Sequence, residues 1–189
     1  WLERYAIREV FGSCWPNFVG TSPPKPRLGL MPGVAGISYF LLHLYKATAD
    51  LGWAGLAQEG ARTLSNEAVP YLGGLSWAWE VGSDQVGVRC QWCVGASGIG
   101  LFYATAYELL EEPAYLETAL AAGEATFAYG DERNNPCQCH GLAGDADFFF
   151  ELYRVTEDTL WLDRGHDFVR RIFEYRTAGC LCADRDSFA

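Results

Sequence analysis

The chain has few positive charges and gathers none of them. Its 14 Lys and Arg stand against 24 Asp and Glu, a formal charge of −10, and the longest basic run is the pair Arg170-Arg171. A surface that neutralises phosphates needs clustered cations, so a nucleic-acid partner is not expected. No apolar run approaches the roughly 18 residues needed to cross a bilayer. The longest candidate, Val34 to Tyr45, is short and is broken by Ser38 and His43. A charged, apolar and small-residue leader is missing at the start, and the first residue, Trp1, points to an excised or partial chain. A disulfide framework is also missing, because seven cysteines are an odd number in a chain too large to depend on staples. Free thiols in a reducing, cytoplasmic compartment follow, with Cys14 read as a buried thiol.

What the chain does have is a core and a repeat. With 189 residues, half of them hydrophobic and 15% aromatic, it can bury a single domain over 1–189. Gly-x-x-Gly occurs at Gly33/Gly36, Gly95/Gly98 and Gly141/Gly144. Counting from the second glycine, offset 4 is Phe40, Phe102 and Phe148, and offset 9 is Tyr45, Tyr107 and Tyr153. Offset 17 is Trp53, Tyr115 and Trp161, and offset 21 is Ala57, Ala119 and Gly165. One supersecondary unit stacked repeatedly leaves this kind of signature.

Each unit reads as a helical hairpin. Val34 to Thr48, Ile99 to Leu110 and Ala146 to Val155 are apolar on most sides, as inner helices are. The stripes Trp53, Ala57, Gly60, Leu64, then Leu116, Leu120, Gly123, Phe127, then Trp161, Gly165, Phe168, Ile172 mark outer helices apolar on one face. Pro113 suits the first turn of a helix, and Asp158 or Thr159 can cap another. Asp145 and Asp147 read as solvated charges of an N-terminal turn. No segment alternates over the length of a strand, so the expectation is an all-α array of antiparallel hairpins, with a straight solenoid as the alternative to a ring. Residues 12–29 and 69–88, rich in Gly, Pro and Trp, read as loops.

The chemistry sits at the starts of the inner helices. Cys93 stands two residues before Gly95, while Cys139 and His140 directly precede Gly141. Equivalent ends of neighbouring hairpins therefore deliver two sulfurs and an imidazole to one place, a donor set that suits Zn2+ with a fourth position open. An open zinc site serves either a bound thiolate or an activated water. Cys90 or Cys137 can instead close the tetrahedron and leave an inert structural site. Cys180 and Cys182 read as ordinary thiols.

At Trp92-Cys93-Val94-Gly95-Ala96-Ser97-Gly98 and Cys139-His140-Gly141-Leu142-Ala143-Gly144 the chain resembles the lanthionine synthetase C-like family, the LanC-type cyclases. The resemblance runs from about Gly29 to Arg176, with Gly33-Val34-Ala35-Gly36-Ile37 as an upstream repeat. It implies an α/α toroid, or helical-hairpin barrel, of which three hairpins form a partial arc. It also implies zinc held by Cys93, Cys139 and His140, and a precursor peptide as partner. The implied reaction adds a peptide cysteine thiol to dehydroalanine or dehydrobutyrine, closing a thioether ring as in lantibiotic maturation. Arg89 occupies a place where the family often has a basic residue, and the resemblance makes it the candidate catalytic group. The chain departs from the pattern at Pro32, where active members commonly carry a proton-transferring histidine, and at Val94, where they often have His or Tyr. His43 reads as a core histidine and His166 as a solvated one. The missing part of the ring points to the remainder of a larger synthetase.

Two other readings stand beside the cyclase. One is a zinc-containing module that binds a peptide or small thiol without turnover, for which Pro32 and Val94 speak. The other is an α/α-toroid glycoside hydrolase, with Glu80, Asp84, Asp145 and Asp147 as carboxylates and Trp77 and Trp79 as sugar platforms.

Overall fold

The computed structural model of the protein describes residues 2–16, 25–83, 88–130 and 135–177. A short helix α1 (Leu2–Tyr5) and an antiparallel pair, β1 (Ile7–Glu9) with β2 (Gly12–Cys14), precede the first hairpin, α2 (Val34–Thr48) and α3 (Leu51–Glu67). A second antiparallel pair, β3 (Ala68–Tyr71) with β4 (Gly74–Trp77), leads to the hairpin of α4 (Ala96–Leu110) and α5 (Pro113–Tyr129). The third hairpin is α6 (Leu142–Thr156) and α7 (Thr159–Thr177). Within each hairpin the inner helix packs on its outer partner, and α4 lies between α2 and α6. The result is an all-α arc with two small β ribbons on it.

The glycine ruler has a concrete cause. No side chain caps the N-termini of α2, α4 or α6. Instead the preceding segment folds back, so that the N–H groups of Val34, Ala96 and Leu142 donate to the carbonyls of Arg27, Arg89 and Asn135 at 2.8, 3.1 and 2.9 Å. Backbone thereby satisfies helix-end donors that a polar side chain satisfies elsewhere. The fold-back presses the glycines onto main chain. A Cβ at Gly95 would collide with the Arg89 carbonyl, and one at Gly98 with that of Trp92. Gly95 also sits at φ 110°, a conformation open chiefly to glycine.

The tyrosines of the repeat mark the other end. Ala49, Glu111 and Glu157 adopt the left-handed conformation and donate their N–H groups to the carbonyls of Tyr45, Tyr107 and Tyr153, closing each inner helix in the same way. The outer helices start from local signals. Asp50 Oδ1 accepts from Gly52 N–H at 2.8 Å, Asp158 Oδ1 from Leu160 N–H at 3.0 Å, and Pro113 stands in the first turn of α5. Phe102, Tyr103, Phe148, Phe149 and Phe168 fill the space between the layers and are fully buried. Burial of each such ring contributes about 1.5–3 kcal/mol.

Several expectations need correction. Parts of residues 12–29 and 69–88 are strands: β2 pairs with β1, and β3 with β4 in the register Ala68↔Trp77 to Tyr71↔Gly74. The β3–β4 turn is Leu72-Gly73 at φ 47° and 82°, a two-residue reversal that matches strand twist. Such strands are too short to show alternation. His43 is exposed, with its ring edge-on to Tyr39, and is no core histidine. Asp145 is buried, not solvated. Two expectations hold: His166 is exposed and Cys14 is buried, its thiol pushed up to about 11 by burial and then by Glu9 and Glu67. Asp84, Cys180 and Cys182 lie outside the described residues.

Candidate metal centre

The turn before α4 and the turn before α6 meet at Cys93. Its N–H donates to the Cys139 carbonyl at 3.2 Å, and its own carbonyl accepts from Met31 N–H at 2.9 Å. One residue thus ties the approaches to all three inner helices together. The cysteine at 93 points inward and is buried, Cys139 is exposed, and His140 is intermediate.

The ligand atoms of Cys93, Cys139 and His140 all lie within 4.8 Å of one another. Cys139 Sγ stands 3.7 Å from His140 Nε2. A tetrahedral zinc with ordinary bond lengths sets its sulfur and nitrogen ligands about 3.5 Å apart, so the donor set fits that ion in both chemistry and spacing. Burial holds the Cys93 thiol well above its ordinary range, and the hydrogen bond and charge of Cys139 push it the same way. A divalent cation reverses this balance, since a coordinated thiol gives up its proton.

Neither nearby cysteine joins this cluster. Cys90 is buried with its Sγ 3.7 Å from Ser76 Oγ, and Cys137 Sγ accepts the His140 N–H at 3.4 Å. Among the described residues the group therefore offers three His or Cys ligands and no fourth. Arg89 is half-buried, and its carbonyl accepts from Ser76 Oγ and Ala96 N–H at 2.6 and 3.1 Å. Its main chain is thus fixed at the base of the Cys93 turn. Pro32 is exposed beside Met31, close to Cys93 through the Met31 hydrogen bond.

The described carboxylates and tryptophans of the hydrolase reading have other settings. Trp77 is 1% exposed and donates to the Leu64 carbonyl at 2.7 Å, which makes it core and no platform for a sugar. Trp79 lies under the Arg27 guanidinium at 4.9 Å. Asp147 faces solvent and accepts from Gln138 at 3.4 Å. Asp145 sits in the first turn of α6 near Ser97, its Oδ1 buried without a hydrogen-bond partner and its carboxyl held well above the usual range by burial. Asn135, whose side chain bridges the ends of the Cys-His turn, was not legible as a site residue from spacing. The signal was available in the ruler, because Asn135 stands where the other two turns have Arg27 and Arg89.

The three stacked hairpins are an arc of an α/α toroid, carrying a cluster that could hold a metal ion, and comparison with known proteins agrees on the fold. A family model described as lanthionine synthetase C-like protein matches residues 20–185, so the chain belongs to that family. Glutathione S-transferase LANCL1 of Danio rerio is 29% identical over 164 residues, covering 83% of this chain and 38% of the relative. LanC-like protein GCL1 of Arabidopsis thaliana is 29% identical over 142 residues, covering 75% of this chain and 31% of the relative. Among solved structures, nisin cyclase superposes with a TM-score of 0.68 at 17% identity, over 77% of this chain and 39% of that one. The likeness to nisin cyclase shows the fold, and the chain spans about two-fifths or less of each of these proteins.

Proposed function

We propose that the protein catalyses, as part of a complete ring, the addition of a thiol to an electron-poor double bond, with the cysteine of a dehydrated precursor peptide as the thiol. The observation that supports this reading is the convergence of Cys93, Cys139 and His140, which as a three-ligand set would leave a fourth position for a thiol. These three residues would hold Zn2+, which supplies positive charge that favours the deprotonated form of an incoming thiol. In the addition, sulfur bonds to the β carbon of dehydroalanine or dehydrobutyrine and a proton is added at the α carbon. Negative charge develops on the adjacent carbonyl oxygen before that proton arrives. Arg89, at the base of the Cys93 turn, is the group we assign to stabilise it. The proton must come from a residue other than 32, since proline has no donor.

A test uses the full-length protein with a dehydrated peptide that carries a cysteine. Ring closure leaves the mass unchanged and removes the alkylatable thiol. Cys93→Ala and His140→Ala should abolish both zinc and ring closure, while Arg89→Lys should keep zinc and slow closure by about 10–1,000-fold, the range for loss of one oriented charge donor. Full closure by the His140→Ala protein would overturn the assignment.

One observation favours a second reading. Pro32 stands where active members of the family commonly carry a proton-transferring histidine, and the relative LANCL1 is named a glutathione S-transferase. On this reading the site binds a small thiol such as glutathione, either without turnover or to add it to an electrophile carried by another molecule. Zinc-dependent binding of glutathione, with no ring formed from a dehydrated peptide, distinguishes it.

A further inference from the structure

Cys139 and His140 are sequence neighbours, and neighbouring side chains on a regular helix or strand diverge. Something must bend the chain so that both reach one ion. The bend lies in residues 135–142, and its hydrogen bonds converge on the His140 peptide. The His140 N–H donates to Cys137 Sγ at 3.4 Å, and its carbonyl accepts from Asn135 Nδ2 at 3.3 Å. Asn135 Oδ1 accepts the Cys137 N–H at 2.9 Å, and the Asn135 carbonyl accepts Leu142 N–H at 2.9 Å. Gly141 lies against Asn135 with no room for a Cβ. Asparagine thus clasps the turn at three points, and the Cys137 sulfur closes it from inside.

The other two turns carry no such clasp at these places. The positions matching Asn135 are Arg27 and Arg89, and those matching Cys137 are Gly29 and Gln91. The upstream turns present at most one member of the cluster, Cys93, so they need no convergence of adjacent side chains. The device is found where the geometry demands it.

We infer that Asn135 and Cys137 are positioning residues for the metal centre, with Cys137 serving as hydrogen-bond acceptor to the His140 amide and not as a fourth ligand. The inference rests on the metal reading of Cys93, Cys139 and His140, and adds to it the parts that set its shape. Outer partners of this kind alter metal affinity without changing the ligand count.

Cobalt(II) is the probe, because its sulfur-to-metal charge-transfer intensity counts thiolates while its ligand-field bands report geometry. Titrated into the whole protein against a competing chelator, cobalt should give a two-thiolate spectrum. Asn135→Ala and Cys137→Ala should keep that charge-transfer intensity, shift the ligand-field bands and bind about 10–100-fold more weakly. Cys137→Ser, which keeps an acceptor for the His140 N–H, should recover part of the affinity. Equal affinity in parent and variants overturns the clasp and leaves the metal site standing. Loss of one-third of the charge-transfer intensity in Cys137→Ala overturns it differently, by making Cys137 a ligand. A parent protein that binds no cobalt overturns the metal reading and the clasp with it.

Discussion

At the scale of single residues, the convergence of two sulfurs and an imidazole was legible because a local motif precedes each helix. Cys93, Cys139 and His140 precede their glycines in the sequence and converge in the structure. Asp145 was misread, because an acidic residue in the first turn of a helix normally meets water, and this one is roofed over by the neighbouring inner helix near Ser97. Tertiary packing decided its environment, and packing is invisible in spacing. A consequence can be measured. Because its pKa is raised in the folded protein, Asp145 favours folding below the unfolded value of about 3.9, and this advantage is lost as pH rises through the folded value. Asp145→Asn should therefore raise the melting temperature at neutral pH, with the gain shrinking towards pH 4. A parent and variant that differ equally at both pH values would contradict the raised pKa of the buried carboxyl. His43 was misread in the opposite sense. Its helix is apolar by composition, yet the imidazole is exposed beside Tyr39, near Glu108 of α4.

At the scale of elements, the six long helices follow the ruler closely, since glycine pairs begin the inner helices and the tyrosines stand one turn before their ends. The β ribbons escaped it because β3 and β4 have four residues each, too few for a period-two pattern to exceed noise. The repeated helix ends invite two substitutions with opposite outcomes. Glu111 holds a left-handed conformation at φ 55° that L-residues with a Cβ tolerate poorly. Glu111→Gly should stabilise the protein by about 0.5–1 kcal/mol in urea unfolding. Gly98 lies against the Trp92 carbonyl and Leu30. Gly98→Ala should destabilise by about 1–3 kcal/mol and, by displacing the turn that carries Cys93, should weaken metal binding as well. Unchanged stability in Gly98→Ala would show that the fold-back is looser than the hydrogen bonds indicate.

At the scale of the whole molecule, the arc has unequal sides. Phe40, Phe102 and Phe148 hold the same place in the repeat, yet Phe102 and Phe148 are fully buried while Phe40 is 52% exposed. The inner helix α4 has neighbours on both sides, and Phe40 lies on the side of α2 away from the other hairpins' packing. Phe102→Ala should cost about 3–5 kcal/mol, whereas Phe40→Ala should cost well under about 1.5 kcal/mol in this stretch alone. In a longer protein that completes the ring, the cost at Phe40 should rise towards that at Phe102. Sequence revealed the repeat but not which copies would be covered, because coverage depends on neighbours a repeat does not name. The central claim remains the shared ion, and its most direct test is zinc stoichiometry of the purified protein by elemental analysis. One zinc per chain is predicted for the parent and for Cys90→Ser, and none for Cys93→Ser or Cys139→Ser. Equal zinc in the parent and Cys93→Ser, or loss of zinc in Cys90→Ser alone, would contradict it.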